Sequence, residues 1–197
     1  MSFTYMAKSH DELVGNSLNI KLSFYDQNQK NINGETLNSL TAGILSNILD
    51  YTIFYCPNAN SYKRLKEDDI DLNWNKIGDN ENLRGINIIK EKSESKVLFT
   101  LTGSDTNPYL ALMSILNSAL NGLITKDTIE KAEKKLHDKK LPLTLYNSIQ
   151  NYEKSNEALN SLGEKFHKHF NSFYTWEYTQ YMNQVSNWEL ERYLYSV

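Results

Sequence analysis

With 197 residues, 40% of them hydrophobic and 23% charged, the chain has the composition of an ordinary globular domain able to bury a real apolar core. A formal net charge of −3, with no basic cluster interleaved with aromatics, gives no electrostatic reason to bind nucleic acid or an anionic membrane surface. The single cysteine, Cys56, excludes an intramolecular disulfide, and neither a charged-then-apolar leader nor an apolar run of about eighteen residues is present, so a cytoplasmic location is expected.

In chain order, Phe3–Lys8 (FTYMAK) reads as a strand. Ser17–Phe24 alternates strictly, with Leu18, Ile20, Leu22 and Phe24 on one face and Ser17, Asn19, Lys21 and Ser23 on the other, which predicts a half-buried strand. The polar stretch Asp26–Gly34 reads as a hairpin or loop. From Glu35 onward, Leu37, Leu40, Ile44, Leu45, Ile48 and Leu49 recur at helical spacing. Cys56, directly before Pro57 and with no histidine in sequence reach, reads as a small buried hydrophobe rather than a nucleophile. Ile86, Asn87, Ile88 and Ile89 suggest a buried strand. In Lys96–Thr102, Val97, Phe99 and Leu101 take one face, and Leu98 and Thr100 the other.

Residues 103–124 are the expected centre of the core. Asn107 can cap a helix, Pro108 fits its first position, and Gly122 can close its far end. Leu110, Ala111, Leu112, Met113, Ile115, Leu116, Ala119 and Leu120 cover every face, which predicts a helix surrounded by other elements. The Gly103–Thr106 turn before it is the kind of strand-to-helix junction where ligand-binding groups gather. Lys126–Lys140 reads as a surface helix that turns Ile129, Ala132 and Leu136 inward. Tyr152–Val185 reads as largely helical with a break near Gly163, and Phe166, Phe170, Phe173 and Trp176 form its apolar face. His167 and His169, two apart on a helix, point to nearly opposite sides and read as exposed histidines rather than a metal pair. Ser186–Glu189 fits a capping box for a last helix whose Trp188, Leu190, Tyr193 and Leu194 are expected to return to the core.

Two stretches carry a resemblance. GSDTNPYLALMSILNSALNGL (103–123) resembles the G-x-D-x-N-P-Y-L-A-L segment near the end of the catalytic domain of glutamine synthetases, and Asn60-Ser61-Tyr62-Lys63-Arg64-Leu65 matches that family's N-S-Y-K-R-L run throughout. The resemblance extends from about Phe3 to Leu194, and the tail VSNWELERYL is most similar to the γ-glutamylpolyamine synthetase branch. It implies an α+β fold: a truncated catalytic domain with an antiparallel sheet and core helices over 1–125, and C-terminal helices over 126–197. It also implies that the chain begins partway through the family's fold, without the upstream β-grasp domain and the strands that hold most metal-binding glutamates.

Position by position, the resemblance implies loss of the catalytic apparatus. The family strand G-S-G-M-H-x-H-x-S reads Gly15-Asn16-Ser17-Leu18-Asn19-Ile20-Lys21-Leu22-Ser23, placing Asn19 where the family has a metal-binding histidine and Lys21 where it has a nucleotide-contacting one. Lys21 could still meet phosphate as a point charge, or be a solvated lysine on a strand face. Ser23 is retained. Leu98 and Thr100 replace a metal-binding glutamate and a phosphate-binding arginine. Ile70 replaces the glutamate that assists deprotonation of the amine, unless Asp69 or Asp71 takes over through a slipped loop. Arg84 falls out of register with the family's phosphate-binding arginines. Arg64 matches the arginine that clamps the substrate carboxylate, with Asn60 and Ser61 as residual substrate-binding neighbours.

The expectation is therefore a catalytically inactive glutamine synthetase-like protein, with no catalytic residues, metal ligands or cofactor, acting structurally or as a regulator through self-association or association with an intact family member. One alternative is half of a split ATP- and Mg-dependent glutamate–ammonia or glutamate–amine ligase, completed by another chain. Another is a non-catalytic binder of a small ligand through Arg64, Lys21 and Ser23. An oligomer or partner chain is expected at a sheet edge left unpaired at Phe3–Lys8 or Ser17–Phe24.

Overall fold

The computed structural model describes residues 3–10, 12–65, 74–80, 85–92 and 94–195. Four strands form one sheet in the order β1-β4-β3-β2: β1 is Ile20–Leu22, β2 Ile77–Gly78, β3 Ile86–Glu91 and β4 Glu94–Phe99. β1, β4 and β3 pair antiparallel, and the two-residue β2 adds a parallel pair at the far edge. The register sets Lys21 opposite Leu98 and Leu98 opposite Asn87, while Ile20, Phe99 and Ile86 line up on the other face. Ile86, Val97 and Phe99 on that second face are buried, because the alternation read from sequence turns them onto the helices.

Those helices are α1 (Gly34–Ser46), two short turns α2 (Thr52–Tyr55) and α3 (Ser61–Arg64), the long α4 (Pro108–Thr125), α5 (Ile129–Leu136), α6 (Leu145–Glu153), α7 (Asn156–Leu162), α8 (Glu164–Met182) and α9 (Asn187–Tyr193). The start of α4 follows its sequence signal, since the Asn107 side chain accepts hydrogen bonds from the amides of Tyr109 and Leu110, with Pro108 in the first turn. Thr144, Ser155 and Ser186 cap α6, α7 and α9 in the same manner, and Ser186 with Glu189 completes the expected capping box.

The structure corrects several expectations. Phe3–Lys8 is not a strand: it is an extended segment held by the Asn16 side chain, which donates to the carbonyls of Tyr5 and Met6, and by Asn16 N donating to Ala7 O at 2.8 Å. Of Ser17–Phe24, only Ile20–Leu22 has ladder pairing, although the exposure alternates throughout. Gly122 does not end α4. The helix runs on to Lys126, which caps it in the left-handed conformation, and Gly122 lies within it against Gly43 of α1. A β-carbon on Gly122 would sit 2.4 Å from Ser39 O and 2.5 Å from Gly43 Cα, so the pair of glycines lets the two backbones touch where α1 crosses α4. Nor is α4 covered on every side: Ala111, Ser114, Ile115, Ser118 and Ala119 are buried, whereas Tyr109, Leu120 and Ile124 are exposed.

The expected break at Gly163 is present, at a φ of +78° that suits only glycine, and the helical run expected from Tyr152 is also interrupted at Lys154–Ser155, between α6 and α7. The buried line of α8 runs through His167 and Phe170, with Tyr174 packed behind them, so Phe166, Phe173 and Trp176 face outward. His167 is buried, contrary to the reading of both histidines as exposed: its Nε2 donates to the Tyr152 carbonyl at 2.8 Å and its ring stacks on Tyr152. α9 buries none of its residues, so Trp188, Leu190, Tyr193 and Leu194 do not return to the core. No helix among the described residues is long and apolar enough to cross a membrane.

Candidate functional site

Two groups of predicted residues meet different fates. Lys21 lies on the exposed face of β1 with Ser23 exposed just beyond it, and the pairing of β1 with β4 brings Asn19, Lys21, Leu98 and Thr100 onto one face. The polar chemistry of that face is internally neutralised. Lys21 Nζ lies 3.4 Å from Glu91 Oε1, Lys96 Nζ lies 2.5 Å from Glu91 Oε2 and 3.4 Å from Glu94, and Tyr25 donates to Glu94 at 3.3 Å. The hydrogen bonds from Lys96 and then Lys21 hold the Glu91 carboxyl below the usual carboxylate range, and the Glu91 carboxylate raises Lys96 in turn. Ser23 is exposed and makes no bond that organises the face.

Arg64, Asn60 and Ser61 belong to the short turn α3 and its start, and here the side chains turn into the protein. Arg64 is 3% exposed. Its Nη2 donates to the Leu101 carbonyl and touches Cys56 Sγ at 3.7 Å, while Nε has no partner among the described residues. Gly15, in the loop before β1, lies against the stem of this arginine: a β-carbon there would meet Arg64 Cγ at 2.6 Å. Asn60 clasps the Lys8 backbone, accepting from its N at 2.8 Å and donating to its O at 2.9 Å. Ser61 donates to Asp105 Oδ2 at 2.6 Å and accepts from Asn58 N at 3.0 Å.

Asp105 is the residue that the sequence reading did not single out, although it is the aspartate of the G-x-D-x-N-P segment. It joins the Gly103–Thr106 turn to α3, taking hydrogen bonds from Ser61 and from Asn58 Nδ2 at 2.9 Å. Its other oxygen, Oδ1, is buried without a partner. Arg64 Nε and Asp105 Oδ1 both face Gly103, at 3.7 and 2.3 Å from where a β-carbon would stand, so a side chain at this position would have to displace the Asp105 carboxylate. The turn is fixed further by Thr106 Oγ1 and Gly103 N, which donate to the Tyr55 carbonyl, and by Ser104 N, which donates to Asn16 Oδ1. Burial pushes the Cys56 thiol up to about 12, with Arg64 only partly opposing the shift, so the thiol stays protonated. The positions Ile70, Asp69, Asp71 and Arg84 lie outside the described residues. Among the described residues no group of three or more His, Cys, Asp or Glu stands close enough to hold a metal ion.

A four-stranded sheet with helices on one face, its other face displaying the β1 and β4 side chains, and a polar turn clasped to an N-S-Y-K-R-L helix define an α+β domain of the glutamine synthetase type. The chain belongs to the glutamine synthetase catalytic-domain family, whose profile it matches over residues 1–193. It is 32% identical to type-1 glutamine synthetase 2 of Dictyostelium discoideum over 97% of this chain and 40% of that protein. It is 26% identical to a γ-glutamylethanolamide synthetase of Streptomyces coelicolor over 98% of this chain and 44% of that one, and 29% identical to a glutamate–isopropylamine ligase of a Pseudomonas species over 98% and 46%. Among solved structures, ligand-free GmaS superposes with a TM-score of 0.81 at 23% identity, over 98% of this chain and 48% of that one. The chain thus spans less than half the length of these relatives.

Proposed function

We propose that this chain is a catalytically inactive member of its family, with a structural or regulatory role exercised through association with itself or with an intact family member. The observation that carries the proposal is the composition of the outer sheet face. Asn19, Lys21, Leu98 and Thr100 offer an amide, an ammonium, an alkyl chain and a hydroxyl. Of the four, only the Asn19 amide oxygen and the Thr100 hydroxyl are oxygen donors and none is a carboxylate, a poor set for a hard divalent cation, and the nearby Glu91 and Glu94 pair with lysines. Arg64 supports the same reading, since it is buried and its Nη2 donates to the Leu101 carbonyl inside the protein. Association is supported by the sheet itself: among the described residues β1 pairs only with β4 and forms the sheet's outer edge, a template for a further strand.

The relatives are ligases that join glutamate to ammonia or an amine, and the chain covers 40–48% of their length, which supports a second reading as part of a split ligase using ATP and Mg. Phosphate release from ATP and Mg with glutamate, in the presence of ammonia, ethanolamine or isopropylamine, separates the two. The inactive reading expects release no faster than from heat-denatured protein, together with a light-scattering mass above that of one chain. Magnesium-dependent release that requires glutamate would overturn it in favour of the ligase. A monodisperse monomer would overturn its self-association arm.

A further inference from the structure

The chain holds two asparagine–glycine pairs, Asn33-Gly34 and Asn121-Gly122, and the fold puts them in opposite surroundings. In such a pair the following backbone nitrogen readily reaches the side-chain carbonyl carbon, because glycine has no β-carbon to block the approach. The fold decides whether that approach is open. The side-chain amide must be free, the glycine N–H must be unbonded, and no neighbour may crowd the ring that forms.

Asn33-Gly34 meets all three conditions. Asn33 stands just before α1 with φ −142° and ψ −173°, exposed, and although it occupies the capping position its side chain makes no capping hydrogen bond. Gly34 opens α1, so its N–H has no intrahelical partner, and no other group among the described residues accepts from it. It takes a φ of +61°, and a β-carbon there would meet nothing within 4 Å. Asn31, two residues earlier, shows what a protected amide looks like: its Nδ2 donates to the Phe24 and Ser95 carbonyls, each at 3.2 Å, and its Oδ1 accepts from Ser95 N at 2.7 Å. Asn121-Gly122 fails all three conditions. Both residues lie inside α4, whose ladder holds the glycine N–H, Asn121 Nδ2 donates to Glu157 Oε2 at 2.8 Å, and Gly122 is pressed against Gly43 of α1.

We propose that Asn33 is a site of spontaneous covalent modification, deamidation through a cyclic imide. The Gly34 nitrogen attacks Asn33 Cγ, an N–Cγ bond forms, the Cγ–Nδ2 bond breaks, and Nδ2 leaves as ammonia with the proton of the Gly34 N–H. Water then opens the ring. Addition at Cγ restores the ordinary main chain with an aspartate at position 33, whereas addition at the Asn33 backbone carbonyl carbon leaves the main chain running through Cγ as isoaspartate. The reaction consumes water alone. Aspartate caps a helix as well as asparagine does, and its charge suits a helix N-terminus. Isoaspartate instead lengthens the main chain by a carbon where α1 begins.

The test incubates the full chain, folded and in parallel unfolded in guanidinium, in mildly alkaline buffer at body temperature. Proteolytic peptides are scored by mass for amide-to-carboxyl conversion, and with an isoaspartyl methyltransferase for isoaspartate. Reaction at Asn121 waits on opening of the packed α4, so conversion at Asn33 in the folded chain should be at least about tenfold faster than at Asn121. Unfolding should remove most of that difference. Asn33→Ser keeps a good cap at an exposed position and should abolish the main acidic charge variant that the folded wild type accumulates. Conversion at Asn33 no faster than at Asn121 in the folded chain, acidification of Asn33→Ser at the wild-type rate, or a rate difference that survives unfolding would each overturn the assignment.

Discussion

The crossing of α1 over α4 rests on two glycines, and Gly122→Ala probes it directly. In an ordinary helix interior the change would stabilise by about 1 kcal/mol, because alanine loses less backbone freedom on folding. Here the new methyl would stand 2.4 Å from Ser39 O and 2.5 Å from Gly43 Cα, both backbone atoms of the facing helix that no rotamer change can move. Relief requires α1 and α4 to separate, which opens the packing around Leu40, Ile44, Ile115 and Ala119. Overpacking of this kind costs about 3 kcal/mol at the upper end of its usual range, leaving a net loss of about 2 kcal/mol. For a chain of this size that corresponds to a Tm lower by about 4–8 °C. Urea denaturation followed by far-ultraviolet circular dichroism measures the loss, with Leu120→Ala as control: it changes an exposed residue on the same helix and should stay within about 0.5 kcal/mol. If Gly122→Ala is as stable as wild type, the helices do not make backbone contact there, and the account of this crossing is wrong.

Asp105→Ala should cost about 1–3 kcal/mol, because Ser61 Oγ and Asn58 Nδ2 lose their acceptor; denaturation at the wild-type level would show that the clasp does not hold the turn. Cys56 should resist a thiol reagent at pH 8 in the native chain and react on unfolding, since raising its ordinary value of 9.0 to about 12 cuts the thiolate fraction about a thousandfold. Fast native labelling at pH 8 would refute its burial. Burial also raises the Asp50 carboxyl above its ordinary 3.8, more than Ser155 and the nearby lysines lower it. The folded chain therefore binds that proton more readily than the unfolded chain. The resulting stability is complete below the ordinary value and is lost as pH rises through the folded one. Asp50→Asn should accordingly be more stable than wild type at pH 7, with the advantage fading as pH falls toward 3.8; a less stable variant at pH 7 would contradict the assignment.

Family membership, the capped start of α4 and the alternation that sets Asn19, Lys21, Leu98 and Thr100 on one sheet face were all legible in the sequence. Each depends on local chemistry: a cap satisfies its own amides, and a period of two fixes which strand residues share a face. The direction of Arg64 was not legible. A motif match names the residue but not its partner, and only the fold brings the Leu101 carbonyl and the Gly103 turn to its guanidinium from 37 and 39 positions away in sequence.

Gly122, His167 and α9 show the same division. Gly122 carries the usual signal of a helix end, yet the close approach of α1 makes it an interior contact, and the helix ends three residues later, at Thr125. His167 looked like a surface residue until the Tyr152 carbonyl and ring enclosed it. The apolar residues of α9 carry a core signal that no element among the described residues answers. The sequence by itself determined most of the elements and which residues share the sheet face, because propensity, capping and periodicity act over a few residues. Which faces meet, how close the backbones come and where a long cation spends its hydrogen bonds were decided by tertiary structure, because those depend on groups that only the folded chain brings together.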